Sequence, residues 1–479
     1  TGSTCRRSSG TEMGLRIHFL LCPLVFILQG WINLRQPEPY MDELFHVPQA
    51  QAFCSRNWSY DESITTPPGA YLPVAMIGLT IKQINPEAGE WVCSTAGLRL
   101  WNMFLWILLV EQLIMRTKSE AMAIALALHP VLLFYSAMFY TDLTSLLLCL
   151  TAWELSRREK HGYSALFSAA ATLTRQSSAL WHFFIAAEAA CFIAYSSPTV
   201  RSEFGFDYKS LLGVLQRQRR SIVVNLWPHI IVGVGYPIAA LINGGIMVGD
   251  QDRHEMVLHF PMVAYFAVYW VAFTTPLLGF LSRYPRCLRE PVVIPSLISF
   301  LFLAFLSAMS LYCCFYVHPF VLADNRHFVF YVYRKILLRS SWSKYVMVPF
   351  IAISSSCLLG DLQIGIFRIV QDLFPVVDVA EVPALPRCRT AVRMFFLFTL
   401  ILVLVPSGLV EPRYFITPFI FGLLLSLESA DQAELYVRSA VAVSVIISGA
   451  LFYIFLEMPF DRVVDAHMPN DLSPGRFMI

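Results

Sequence analysis

The stretch Tyr40-Met41-Asp42-Glu43-Leu44-Phe45-His46 places two adjacent carboxylates close to an imidazole. A carboxylate held near a sugar hydroxyl can take its proton as a new bond forms, so either acid has the chemistry of a general base. A bare acidic pair is equally the composition of a solvated loop or a helix cap. Thr65-Thr66-Pro67-Pro68-Gly69 follows in the same connector. Proline restricts both itself and the residue before it, so this piece reads as extended, either a rigid wall over a site or the entry to the next helix. In Leu173-Thr174-Arg175-Gln176 an arginine closes an apolar run. A guanidinium at that depth either binds an anion such as a lipid phosphate through paired hydrogen bonds or snorkels to the interface. Gly249-Asp250-Gln251-Asp252-Arg253-His254-Glu255 mixes both charge signs at a helix exit. Its spacing fits no standard ligand pattern, and no metal is expected. Ala323-Asp324-Asn325-Arg326-His327 sets carboxylate, amide, guanidinium and imidazole beside the aromatic run 328–333, as a polar site or a solvated turn. Glu411-Pro412-Arg413-Tyr414-Phe415 adds another arginine near a membrane face, and Asn57-Trp58-Ser59 is an N-glycosylation sequon.

The elements that must position these groups are membrane helices. The chain has 479 residues, 57% hydrophobic and only 14% charged. A soluble domain carries about 25% charge, so a water-facing surface cannot be built here. Apolar runs occur at 15–34, 95–115, 121–139, 143–156, 163–173, 179–195 and 222–243, then at 261–281, 292–317, 345–359, 392–409, 415–427 and 437–456. Several reach the roughly 18 residues that cross a bilayer, and the short ones suit re-entrant or half-spanning segments. One continuous membrane domain over 15–456 is expected, between an N-terminus of residues 1–14 and a tail of residues 457–479. No soluble block is long enough to fold alone. The first run lacks a small-residue cleavage site and reads as a retained anchor, with Met13 as a candidate initiator.

The net charge of +2 says little, because the location of Lys and Arg decides orientation. Arg6, Arg7 and Arg16, then Arg157, Arg158 and Lys160, then the basic stretch 201–220, and Arg283, Arg286 and Arg289 all belong on the cytosolic side by that rule. The connectors 35–94, 140–142, 249–259 and 318–327 then fall on the opposite side, with most of the polar residues above. The 11 cysteines show no CxxC pair and no Cys/His ligand spacing, so neither a zinc site nor a disulfide framework is expected. No nucleic-acid partner is expected either.

Taken in order, MDELFH, TTPPG, LTRQ, GDQDRH, ADNRH with the following FVFYVYRK, and EPRYFI resemble the endoplasmic reticulum α-1,2-glucosyltransferases that use dolichyl-phosphate glucose. Individually the motifs are weak; their joint order, over nearly the whole chain from Leu15 to Met478, is specific. The resemblance implies the all-α GT-C fold of multi-spanning glycosyltransferases, with roughly 12–14 transmembrane helices and a lumenal active-site loop, 35–94, after the first. It implies transfer of the third and last glucose, α-1,2-linked, from dolichyl-phosphate glucose to the dolichyl-diphosphate oligosaccharide of N-glycosylation, in the endoplasmic reticulum membrane and with no cofactor. A β-linked donor and an α-linked product imply a single inverting displacement, with a sugar hydroxyl in place of the water of inverting hydrolysis. On that basis Asp42 is the first choice of base and Glu43 the second, or a partner positioning the acceptor. The leaving phosphate needs positive charge more than a proton, and Arg326, His327, Arg175, His254 and Arg413 are its candidates in that order. His46, Thr66, Asp250, Asp324 and Asn325 are expected to bind or position substrate, and Asn57 to be a glycosylation candidate. The run Ser177-Ser178-Ala179-Leu180-Trp181 and the longer, more polar segment 360–390 depart from the family pattern.

Three other readings compete. Another dolichyl-phosphate-sugar transferase, such as one for mannose, would share the acidic first-loop motif. A transporter or lipid flippase would also line its path with intramembrane charges, but it predicts two similar halves, and no internal repeat is visible. A regulatory membrane subunit, acting on a channel for example, would tolerate loss of both Asp42 and Glu43.

Overall fold

The computed structural model describes residues 8–196, 208–249, 256–278, 293–362, 387–427, 434–461 and 474–479. Asp250 and His254 lie outside the described residues, as do 363–386 of the polar segment and Arg283, Arg286 and Arg289. All regular elements among the described residues are helical, and strand-like pairing is limited to two isolated bridges.

Helix α1 (Ser8–Arg35) leads into the first large connector, which is itself largely helical. It holds α2 (Glu43–Cys54), a 3-10 turn over Pro68–Ala70, α3 (Tyr71–Ile84) and α4 (Pro86–Val92). This subassembly has its own small core of Val47, Ala50, Phe53, Ala70, Tyr71, Val74 and Leu98. Cys54 and Cys93 are joined by a disulfide across it, a bond that the expectation of no disulfide framework had not included. The bond was not legible because its two cysteines lie 39 residues apart with no recurring spacing.

Next come α5 (Thr95–Thr117), α6 (Glu120–Ala127), α7 (Pro130–Ala137), α8 (Thr141–Arg157), α9 (His161–Thr172), α10 (Ser178–Tyr195), α11 (Tyr208–Arg217) and α12 (Arg219–Asn243). Local chemistry explains several boundaries. Ser94 and Ser119 cap α5 and α6 by accepting the amides of Gly97 and Met122. The single run expected over 121–139 is broken, α6 and α7 meeting at 66°. Pro130 cannot supply an amide to a continuous helix, and His129 instead accepts the Leu132 N–H as a new N-cap. The chain ends with α13 (Pro261–Leu278), α14 (Val293–Cys313), α15 (Pro319–Ala323), α16 (Phe328–Val332), α17 (Val348–Asp361), α18 (Arg387–Leu404), α19 (Ile416–Leu427) and α20 (Glu434–Glu457).

Among the described residues, five helical stretches are long and apolar enough to cross a membrane, or six with the bent pair. Four further apolar helices are shorter. The larger number expected from sequence included runs such as 163–173, where α9 has 12 residues and rises about 18 Å, well short of a 30 Å hydrocarbon core. α8, α9 and α10 pack on one another, α12 covers α9 and α10, and α18 lies against α10. α20 returns to α1, α6 and α7. α12 is the most lipid-like surface: Val224, Val234, Ile238 and Ile242 are all exposed. The fold is thus an all-helical, polytopic membrane protein.

Candidate active site

One cavity of about 1850 Å³ collects residues from five of the six sequence motifs. Asp42 and His46 come from the start of α2, Thr65 to Pro68 from the extended piece before α3, and Arg175 and Gln176 from the turn between α9 and α10. Asp324 and His327 come from the turn between α15 and α16, and Glu411, Arg413 and Tyr414 from the turn before α19. The sixth motif, from Asp250 to Glu255, lies outside the described residues, although Met247, Val248 and Met256 on its flanks line the same space. Away from these polar groups the wall is apolar, formed by Ile231, Ala239 and Leu241 of α12 and by Leu402 and Val403 of α18.

Contact between motifs fixes the wall. The Gly69 amide donates to the Leu173 carbonyl at 2.7 Å, and the Gln176 side-chain amide donates to the Thr65 carbonyl. A Cβ on Gly69 would lie 2.4 Å from the Leu173 oxygen, so only glycine permits this approach. Pro67 is extended, with φ −67° and ψ 164°, as its sequence demands, and the chain then enters the 3-10 turn.

The two carboxylates of the acidic pair have opposite environments. Glu43 is fully buried and does not line the cavity. Its Oε1 accepts from Arg99 Nε at 2.9 Å and the Phe139 amide at 2.7 Å, and its Oε2 from Arg99 Nη2 at 2.6 Å and the Tyr40 amide at 3.1 Å. Arg99 spends its remaining donors on Asn33 Oδ1 and on the carbonyls of Gln36 and Glu38. Glu43 is therefore committed to Arg99 and the backbone behind the cavity, whereas Asp42, with its side chain 34% exposed, borders the cavity. Burial alone would raise the Asp42 pKa, but the Arg413 guanidinium at 2.5 Å, aided by His46 and His327, outweighs it and holds this carboxyl below the ordinary value. His46 is buried, which pushes its pKa down to about 4 despite Asp42, and its Nδ1 shares a proton with the Tyr71 hydroxyl at 2.7 Å.

Arg413 pairs with Asp42 and Glu411 and lies 3.9 Å from Asp142. Arg175 pairs with Asp142 at 2.6 Å. Asp142 sits in the first turn of α8 and lines the cavity; Glu411 lines it too. Neither stood among the expected site residues. Glu411 stood within the quoted motif 411–415, two residues before Arg413, and Asp142 only at the end of the short connector 140–142; nothing in spacing ties 142 to 175 or 413. Arg326, first choice for an anion, is buried at 1% exposure and turned away from the cavity. Its Nε and Nη2 donate to both oxygens of Asp324, whose pKa falls because these bonds outweigh its burial. Its neighbour His327 does line the cavity, while Asn325 does not. Thr66 lines it and approaches the Tyr71 hydroxyl at 3.5 Å. Asn57 is exposed at the end of α2, its Oδ1 accepting from Ser59 N and Oγ. Among the described residues, no three His, Cys, Asp or Glu side chains are grouped to hold a metal ion.

These features define a class: a multi-pass helical membrane protein whose connectors meet around a cavity lined by acids and arginines and bordered by an apolar wall. The chain belongs to the DIE2/ALG10 family, whose model matches residues 36–424. It is similar to three proteins each named Dol-P-Glc:Glc(2)Man(9)GlcNAc(2)-PP-Dol alpha-1,2-glucosyltransferase. The one from Arabidopsis thaliana is 28% identical over 88% of this chain and 93% of its own length. The one from Homo sapiens is 27% identical over 92% and 93%, and the one from Yarrowia lipolytica 26% identical over 97% and 98%. No solved structure matches the chain.

Proposed function

We propose that the protein is a dolichyl-phosphate-glucose-dependent α-1,2-glucosyltransferase of the endoplasmic reticulum membrane, adding the third glucose to the lipid-linked oligosaccharide at a lumenal site. The observation that carries this reading is the meeting of an accessible carboxylate, Asp42, with Arg413 and Arg175 in one chamber whose far wall is apolar. That combination suits a donor with a phosphate head and an isoprenoid tail, and the names of the relatives supply the sugar and the acceptor.

In the proposed reaction Asp42 takes the proton of the acceptor's 2-hydroxyl as its oxygen attacks C1 of the donor glucose. The C1–O bond to phosphate breaks on the opposite face, and the configuration inverts. The bonding pair leaves with the phosphate, which departs as dolichyl phosphate and is stabilised by Arg413, Arg175 and His327. Arg413 serves two anions in this scheme, Asp42 before the donor arrives and the phosphate afterwards. Its transfer to the phosphate frees Asp42 from the contact that depresses its basicity. Glu43 and Arg99 act from behind by fixing the backbone that carries Asp42. No cofactor enters the scheme.

The test is transfer of labelled glucose from dolichyl-phosphate glucose to a diglucosylated acceptor by purified wild type and Asp42→Asn. Loss of a general base predicts a fall of about 10²–10⁴-fold in turnover with folding retained. Failure of the wild type to transfer glucose, with mannose transferred from dolichyl-phosphate mannose or with no transfer at all, would overturn the proposal.

A further inference from the structure

The described end of the chain, 474–479, turns back onto the first noncytosolic connector. Gly475 and Phe460 exchange both backbone hydrogen bonds at 2.8 Å, which closes the return. Arg476 is buried, and its guanidinium is spread over that connector and the end of α20. Nε donates to Gln36 Oε1 at 2.8 Å, Nη2 to the Arg35 carbonyl at 2.8 Å, and Nη1 to the carbonyls of Phe455 and Leu456 at 2.9 and 2.7 Å. The Arg476 amide donates to the Tyr40 hydroxyl at 2.7 Å, and that hydroxyl donates to the Arg476 carbonyl at 3.1 Å. Two residues on, Met478 pairs with the other wall, its amide donating to the Arg326 carbonyl at 2.7 Å and its carbonyl accepting the Phe328 amide at 2.9 Å. One short strap therefore joins the connector bearing Asp42 to the turn bearing His327.

The connector needs such a strap. Met41, between Tyr40 and Asp42, has φ +56°, a left-handed conformation that a residue with a side chain adopts only where its surroundings impose it. The chain on either side of Met41 is held by two buried arginines. Arg99 holds Glu43 and the carbonyls of Gln36 and Glu38, and Arg476 holds Arg35, Gln36 and Tyr40. The first operates from α5 within the helical core, the second from the far end of the sequence. None of residues 474–479 lines the cavity.

We propose that Arg476 is a positioning residue for the transfer reaction, acting through Tyr40 to hold Met41 in its left-handed conformation and so aim Asp42 into the cavity. This rests on the glucosyltransferase reading. A general base displaced by about 1 Å loses on the order of 10²-fold in rate while distant binding contacts survive. The effect of losing Arg476 therefore belongs in kcat.

The full chain is compared as wild type, Arg476→Ala, Arg476→Lys and Tyr40→Phe, measuring kcat, the KM of donor and acceptor, thermal melting, and amide hydrogen exchange over 36–46. Arg476→Ala is expected to lower kcat at least tenfold with both KM values within twofold of wild type, and to speed exchange over 36–46 more than elsewhere. Arg476→Lys keeps the charge but not the fork and is expected to recover only part of kcat. Tyr40→Phe, which keeps the ring and loses both bonds to the strap, is expected to fall between Arg476→Ala and wild type. Wild-type kcat in Arg476→Ala, or unchanged exchange over 36–46, would overturn the inference. So would a rate that falls only in proportion to the folded fraction. If the wild type itself transfers no glucose, the glucosyltransferase reading fails, and the exchange measurement still judges whether the strap orders the connector.

Discussion

Glu43→Gln separates the two acids of the motif by what each one does. The carboxylate of Glu43 receives four donors, two on each oxygen, and is wholly buried. An amide can keep one oxygen in place, so its NH2 group must face two N–H donors whichever way it is turned. If the nitrogen takes the Oε1 position it opposes Arg99 Nε and the Phe139 amide; in the Oε2 position it opposes Arg99 Nη2 and the Tyr40 amide. Arg99, itself completely buried, also loses the one carboxylate it is paired with among the described residues. Breaking a buried pair by neutralising one partner costs about 3–5 kcal/mol. Against a typical stability of about 5–15 kcal/mol, that is a large fraction. Asp42→Asn, at a residue bordering the cavity, has no comparable penalty. The assay is thermal unfolding in detergent followed by intrinsic tryptophan fluorescence, with the transfer rate measured per folded molecule. Glu43→Gln is expected to melt well below wild type, and Asp42→Asn near wild type but with transfer lowered by about 10²–10⁴-fold. A Glu43→Gln protein that melts like wild type and has simply lost activity would refute the structural role assigned to Glu43.

Arg413→Gln removes the cation that stabilises ionised Asp42 and holds its carboxyl below the ordinary value. The Asp42 pKa must rise, so the acidic limb of kcat/KM is expected to move to higher pH; a limb that stays in place would separate Arg413 from the base. Gly69→Ala drives a Cβ into the Leu173 carbonyl and pushes apart the walls bearing Thr66 and Arg175. A loss of about 10²-fold in transfer is expected, against no change for Gly162→Ala, where nothing lies within 4 Å. Cys54→Ser opens a 39-residue loop, for which chain entropy predicts about 4 kcal/mol of lost stability. Melting of the variant is expected to fall, and in wild type both thiols should resist maleimide until reduced.

Composition and charge were enough to establish a helical membrane protein, because few charges and repeated apolar runs leave no other fold to build. Most of the motif residues were legible as polar groups in connectors or at the ends of apolar runs, and five motifs do border one cavity. What stayed hidden depends on partners distant in sequence. Glu43 reads like Asp42 until Arg99, 56 residues away, is found beneath it. Arg326 reads as a free cation, yet Asp324, two residues before it, takes its guanidinium. Asp142 and Arg476 have no local pattern at all, since their contacts are made by the way α8 and the final turn pack. The helical hairpin of α2 and α3 was also missed. Its apolar positions serve a small core stapled by a disulfide, and they are too few to stand out as a span.

Side assignment has support beyond the count of basic residues. Trp31 and Arg35, at the end of α1, both donate to Glu457, the last residue of α20. The exits of these two helices therefore share one membrane face, and the connector bearing Asp42 and the strap bearing Arg476 start from that same face. The Cys54–Cys93 disulfide lies there too, and disulfides persist in oxidising compartments. The Arg and Lys bias on the opposite connectors points the same way by an unrelated physical cause, the electrostatics of insertion. Charge bias and redox chemistry, two unrelated causes, thus both support the proposed lumenal cavity. On that proposal, a base and a phosphate site there would meet only those dolichol-linked sugars that are already exposed to the lumen.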